Sequence, residues 1–187
     1  EGGFGEVKLG LQYSPLRQSL LNLDPTGFGL TGSLTNVWSD GGVAQHIKNA
    51  VSYSTPVYSG FQASVLYGAG EVAGDNSADR TLGLSATYAS GPLIATVAYN
   101  KLNAGQGISG STKDWLIGGT YDFGVAKLHA GYGERENFVN QKSKNYTLGV
   151  SAPVGAAGTV KANWAMNDNR DVTSGKTNMY SVAYIHA

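Results

Sequence analysis

Cysteine is absent from the 187-residue chain, so disulfides, thiolate metal sites and cysteine nucleophiles are all excluded. Charge is scarce. Only 14% of residues are Asp, Glu, Lys or Arg, against about 25% in a soluble globular domain. Thirteen basic residues balance thirteen acidic ones, so no basic excess points to nucleic acid. No run approaches the roughly 18 apolar residues of a membrane-spanning helix, which leaves strands as the only means of crossing a bilayer. Helix signals are confined to residues 14–23, where Ser14 is placed as N-cap and Pro15 at the first helical position.

Glycine (27 residues) and tyrosine (11) are abundant, and 41% of the chain is hydrophobic, enough to bury a core or face a membrane. The hydrophobic period is two. Leu82, Leu84, Ala86 and Tyr88 share one face while Thr81, Gly83, Ser85 and Thr87 share the other. The same alternation recurs around 51–53, 61–68, 93–100, 114–122, 126–132, 146–151, 160–166 and 180–184, and with Val7, Leu9 and Leu11 it predicts about ten strands. Short links at 55–60, 90–92, 122–124 and 154–158 alternate with polar stretches near 70–79, 101–113, 134–144 and 167–177. A meander with unlike ends and aromatics at its strand ends fits a transmembrane β-barrel. A soluble β-sandwich shares the bare alternation, but the loop asymmetry, the low charge and the Gly/Thr/Ser second face favour the barrel.

Two segments go beyond patterning. Gly3-Phe4-Gly5-Glu6-Val7-Lys8-Leu9-Gly10-Leu11-Gln12-Tyr13-Ser14-Pro15 resembles the strand leading into the third loop of Gram-negative general porins. Asn49-Ala50-Val51-Ser52-Tyr53-Ser54-Thr55-Pro56, followed by Tyr58-Ser59-Gly60-Phe61, resembles the strand and turn after that loop, particularly in the β-proteobacterial branch. Tyr121-Asp122-Phe123-Gly124 and Leu148 to Gly155 are similar to later hairpins. The resemblance implies an all-β, sixteen-stranded antiparallel barrel assembled as a homotrimer in outer-membrane lipid and lipopolysaccharide. On that map residues 1–187 supply strands five to fourteen, and 14–45 form a constriction loop folded into the lumen. The chain starts without methionine and stops inside a strand-like pattern, so both ends read as cut from something longer. A closed ten-stranded barrel is the lesser alternative.

The implied function is a water-filled diffusion channel for small hydrophilic solutes and ions, with no catalysis and no cofactor. In the relatives, loop carboxylates face wall arginines across the constriction. Here the loop carboxylates are Asp24 and Asp40, each equally readable as a turn residue in Asp24-Pro25-Thr26-Gly27 and Ser39-Asp40-Gly41-Gly42. Leu11 and His46 stand where the relatives usually carry arginine. The expected constriction set is Asp24, Asp40, His46, Lys48, Lys8 and Arg17, with Lys127, His129 and Lys161 lining the pore, or else being ordinary solvated side chains. The expectation is a mild anion preference.

Other motifs carry no chemistry. Gly27-Phe28-Gly29-Leu30-Thr31-Gly32 matches G-x-G-x-x-G without the strand, helix and distant acid that a dinucleotide site requires. His46, His129 and His186 lack zinc-ligand spacing. There is no G-x-S-x-G elbow. The competing functions are a plugged adhesive or structural barrel with ligand-binding external loops, and an outer-membrane enzyme, for which no clustered catalytic groups are visible.

Overall fold

The computed structural model describes residues 2–29, 32–38, 46–75, 77–170 and 175–186. Ten antiparallel strands follow one another in a single sheet whose spatial order is the sequence order. They are β1 (Glu6–Tyr13), β2 (His46–Ser54), β3 (Phe61–Gly68), β4 (Thr81–Ser90), β5 (Leu93–Asn103), β6 (Ser111–Asp122), β7 (Lys127–Glu136), β8 (Lys142–Val154), β9 (Gly158–Asn169) and β10 (Lys176–His186). Two helices, α1 (Pro15–Leu23) and α2 (Thr35–Trp38), lie between β1 and β2. β1 pairs only with β2 and β10 only with β9. The sheet is therefore an open part of a barrel, and the closed ten-stranded alternative does not hold.

Alternation fixes which face is which, because a strand's side chains point to opposite sides in turn. Large apolar residues on one face are uncovered: Ile117 is 54% and Val182 79% exposed. The other face carries Thr, Ser, Asn and Gly and is covered by α1 and α2. The register from β4 to β10 is unbroken, so the two faces never exchange. Between β1 and β2 it slips at Gly10/Gln12, opposite Asn49 at φ 46°. That bulge brings Ile47 onto the inner face with Ala50 and Leu66.

The connections keep the short-and-long pattern, but the strands run further than the alternation alone suggests. The polar stretches expected near 101–113, 134–144 and 167–177 shrink to 104–110, 137–141 and 170–175. Their alternating polar residues stay paired well past the apolar segment. β8 is 13 residues long, longer than the 9–11 residues that cross a bilayer. At the other end the turns are tight. Gly91 (φ 53°) allows a two-residue link between β4 and β5, and Gly124 (φ 81°) donates its N–H to Asp122 Oδ1 at 2.8 Å.

Outward aromatics gather at both ends of the apolar band. Trp115, Tyr132 and Tyr146 form a ladder with centroids 5.4 and 5.1 Å apart toward the longer connections. Phe61–Tyr88 and Tyr121–Phe123 pair at 4.5 and 4.6 Å toward the short turns. Two girdles flanking an apolar band mark the two interfaces of a bilayer.

Candidate functional site

The principal core lies inside the curve of the sheet. Ser14 caps α1 by accepting from Arg17 N (3.2 Å), and Pro15 opens the helix, as its missing N–H and fixed φ favour. Pro15, Leu16, Ser19, Leu20 and Leu23 form the buried side of α1, a 3-4 spacing that puts them on one stripe. This stripe lies against β4, β5 and β6, while α2 lies against β9 and β10. Leu16, Leu20, Leu23 and Leu34 are at most 1% exposed, worth about 1.5–3 kcal/mol each.

The wall receives the loop at glycines. A Cβ on Gly118 or Gly131 would lie 2.7 Å from Leu23 Cδ1, and one on Gly83 would lie 2.6 Å from Pro15 Cδ. Pro25 sits in the same way over Gly149, and Trp38 Cζ3 lies 3.2 Å from a Cβ on Gly133. The glycines of the inner face are thus a bed for the loop. Three hydrogen bonds pin it there: Thr96 Oγ1 to Ser19 Oγ (2.9 Å), Asn163 Nδ2 to the Gly32 carbonyl (2.9 Å) and Trp38 Nε1 to the Tyr146 carbonyl (3.4 Å).

Asp24 corrects one expectation. It is 4% exposed. Its Oδ1 accepts from Thr26 N and Thr26 Oγ1, both at 2.7 Å, and its Oδ2 accepts from Leu34 N at 2.9 Å. The carboxylate staples the loop to itself and presents no free charge to the lumen; it is the turn residue of the two readings. Asp40 lies outside the described residues.

The basic residues fall into two groups. In the first, the Arg17 guanidinium carbon lies 4.5 Å from the centroid of Tyr13 and 5.0 Å from that of Phe28, while His46 stacks on Tyr13 at 4.2 Å. This stack, which the spacing alone does not reveal, holds a guanidinium between two rings by cation–π attraction. Nearby, Lys8 pairs with Glu6 at 2.7 Å. Lys8, Leu11, Gln12, Gln18, Ser52 and Ser85 line a recess of about 360 Å³ on the inner face. Ser52 Oγ donates to Gln12 Oε1, and Gln12 Nε2 donates to the Lys8 and Ala50 carbonyls at 3.0 Å each. Lys48 lies beyond the bulge with Glu71 and Asp79 around a separate recess.

The second group sits toward the short turns. Lys127 pairs with Asp122 at 3.7 Å. Lys161 and Lys127 both stand opposite Ser151, from either side. His129 is the other correction: it is 7% exposed, its Nε2 lies 3.3 Å from Ser151 Oγ, and the loop covers it rather than water. Asp114, buried, and Arg135, partly buried, pair at 3.6 Å on the inner wall and have no counterpart in the expected set. The signal for them was their direct cross-strand register. Among the described residues, Arg17, Lys48 and Lys161 have no ion-pair partner. No group of three or more acidic or histidine side chains that could hold a metal occurs among the described residues.

An apolar band between aromatic girdles outside, a polar wall inside and a helical loop folded onto that wall define a porin-type outer-membrane β-barrel. The chain belongs to the Gram-negative porin family, whose model matches residues 1–187. It is 33% identical over 201 residues to outer membrane porin protein 32 of Delftia acidovorans, covering 99% of this chain and 56% of the relative. It is 27% identical over 231 residues to an outer membrane porin protein of Bordetella pertussis, covering 98% of this chain and 59% of that relative. Among solved structures it superposes on an anion-selective porin from Comamonas acidovorans with a TM-score of 0.84 at 30% identity, covering 100% of this chain and 60% of that one. The chain thus spans rather more than half the length of the relatives it matches, and its place is the bacterial outer membrane.

Proposed function

We propose that the complete protein is a passive channel for small hydrophilic solutes and ions, assembled as a homotrimer and narrowed by the loop at 14–45. The observation that supports this most is α1 seated on the inner glycine bed, with Arg17, Gln18, Leu21 and Asn22 left on its uncovered side. A loop fixed in this way reduces the lumen without filling it.

Selectivity follows from which charges are already neutralised. Asp24 is consumed by three donors, and Lys8, Lys127 and Arg135 have carboxylate partners. Arg17 keeps its charge beside the recess, stacked on Tyr13 and Phe28. A pore whose uncompensated fixed charge is positive attracts anions. The preference is mild because this arrangement carries few free cations. The anion selectivity named for the Comamonas relative points the same way.

The test is single-channel conductance and zero-current potential in planar bilayers across a salt gradient, using the full-length protein. Steps in threes and a potential of anion-selective sign are expected. Arg17→Gln should move the potential toward zero while channels still open. A cation-selective wild type contradicts the charge assignment, and no conductance from folded, inserted protein contradicts the channel.

A further inference from the structure

Opposite charges meet at the longer-connection end without closing on each other. There the start of β2, the end of β3 and the start of β4 border a recess of about 420 Å³, lined by His46, Ile47, Lys48, Glu71, Asp79 and Leu102. Packing sets its apolar side: Ile47 and Thr81 are buried, and Leu102 stands directly opposite Thr81 on the inner face. Lys48 comes from the bulged part of β2, next to Asn49 at φ 46°. A short polar side chain tolerates that left-handed backbone, and Asn49 Nδ2 donates to Glu71 Oε1 at 2.6 Å. Asp79 is left-handed too, at φ 57°, and donates its N–H to the Ala104 carbonyl at 3.2 Å.

Lys48, Glu71 and Asp79 make no ion pair among the described residues, although they line one recess. The cation enters from the β2 side and the carboxylates from the connection between β3 and β4. A simple ion drawn to one of these charges is repelled by the other, whereas a molecule carrying both charges satisfies both. The recess falls within the range of about 300–1,000 Å³ of small-molecule sites, which join an apolar lining to a few polar groups. The longer connections of a transmembrane barrel face outward, so an entering solute meets this recess before it meets α1.

We propose that this recess is an entrance subsite for zwitterionic amino acids with apolar side chains. Lys48 takes the carboxylate, Asp79 takes the ammonium with Glu71 beside it, and Ile47 and Leu102 meet the side chain. Ion pairs at an exposed rim are individually weak, so the subsite concentrates the solute without trapping it, as passage requires. It names a solute class for the proposed channel, yet the binding itself needs only the recess.

The test is a saturation-transfer NMR titration of the folded, detergent-solubilised full-length protein near neutral pH with leucine, leucine amide and N-acetylleucine. These carry both charges, the ammonium alone and the carboxylate alone. Wild-type protein is expected to hold leucine about fivefold more tightly than either analogue, the scale that one exposed ion pair supports, and the preference should fall as salt rises. Lys48→Gln should remove the preference over leucine amide, and Asp79→Asn the preference over N-acetylleucine. Equal affinity of wild type for all three overturns the proposal, as do unchanged preferences in both folded variants. Loss of the preference in Arg17→Gln with Lys48→Gln unaffected also overturns it, since the solute would then sit at the constriction. The wild-type comparison needs no mutation, so a variant that does not fold leaves it decisive. Binding is read without current: a protein that prefers leucine but passes no ions contradicts the channel alone, and one that conducts but treats the three alike contradicts the subsite alone.

Discussion

The inner and outer faces of the same strands solve opposite problems. On β6, Leu116 is 1% exposed beneath the loop, while its neighbour Ile117 is 54% exposed on the outer side. Outside, bulk is uncovered and lateral contacts are spread thin; inside, side chains shrink to Gly, Thr and Ser so that a helix can approach the backbone. In a soluble sheet the apolar face would be the covered one. Here the covered face is the polar one, and what covers it is a piece of the same chain. The lesson is that the outer face is matched to a solvent of hydrocarbon, while the inner face is matched to one particular loop.

The comparison breaks most readily where the loop meets the wall. Leu20→Ala removes a fully buried side chain at the centre of that contact. It should weaken loop seating by about 2–5 kcal/mol, read as lower urea resistance in lipid vesicles and noisier open-channel current. Outside, Ile117→Lys puts a charge in the apolar band between Trp115 and Tyr121. It should cost about 2–4 kcal/mol of folding into vesicles. The inward Ser85→Lys should fold normally and instead shift the zero-current potential toward anions.

Smaller changes sharpen the contrast. Gly131→Ala places a methyl against Leu23 and should cost about 1–3 kcal/mol by overpacking, whereas Ala130→Gly on the outward neighbour should cost less. Ser14→Ala deletes the cap of α1, for about 1 kcal/mol, again measured by urea titration.

Most of this contrast is written in the sequence. Alternation alone separates Leu82, Leu84 and Tyr88 from Gly83, Ser85 and Thr87, and the Ser14-Pro15 signal marks the start of α1. Strand ends were less legible. Lys101, Lys113, Lys142 and Lys144 look like loop residues by polarity, yet they are paired strand residues standing beyond the apolar band. The inner glycines were visible as small residues, but small serves equally for an open lumen and for a close approach. Only the position of Leu23 and Pro15 over Gly118, Gly131 and Gly83 decides between them. For Asp24, two local readings were equivalent until Leu34 N, ten residues on, closed the staple. The Arg17 sandwich needed Tyr13 and Phe28 from either side of a folded loop, which no local pattern encodes.

The absence of native cysteine permits a direct test on two adjacent residues of β4. Leu84→Cys and Ser85→Cys, introduced singly into the full-length protein, would be treated in planar bilayers with a charged, water-soluble thiol reagent. Labelling at Ser85→Cys should be fast and should lower single-channel conductance, while Leu84→Cys should stay unlabelled and conduct as wild type. Labelling and block at Leu84→Cys but not at Ser85→Cys would contradict the assignment of the two faces, and with it the channel.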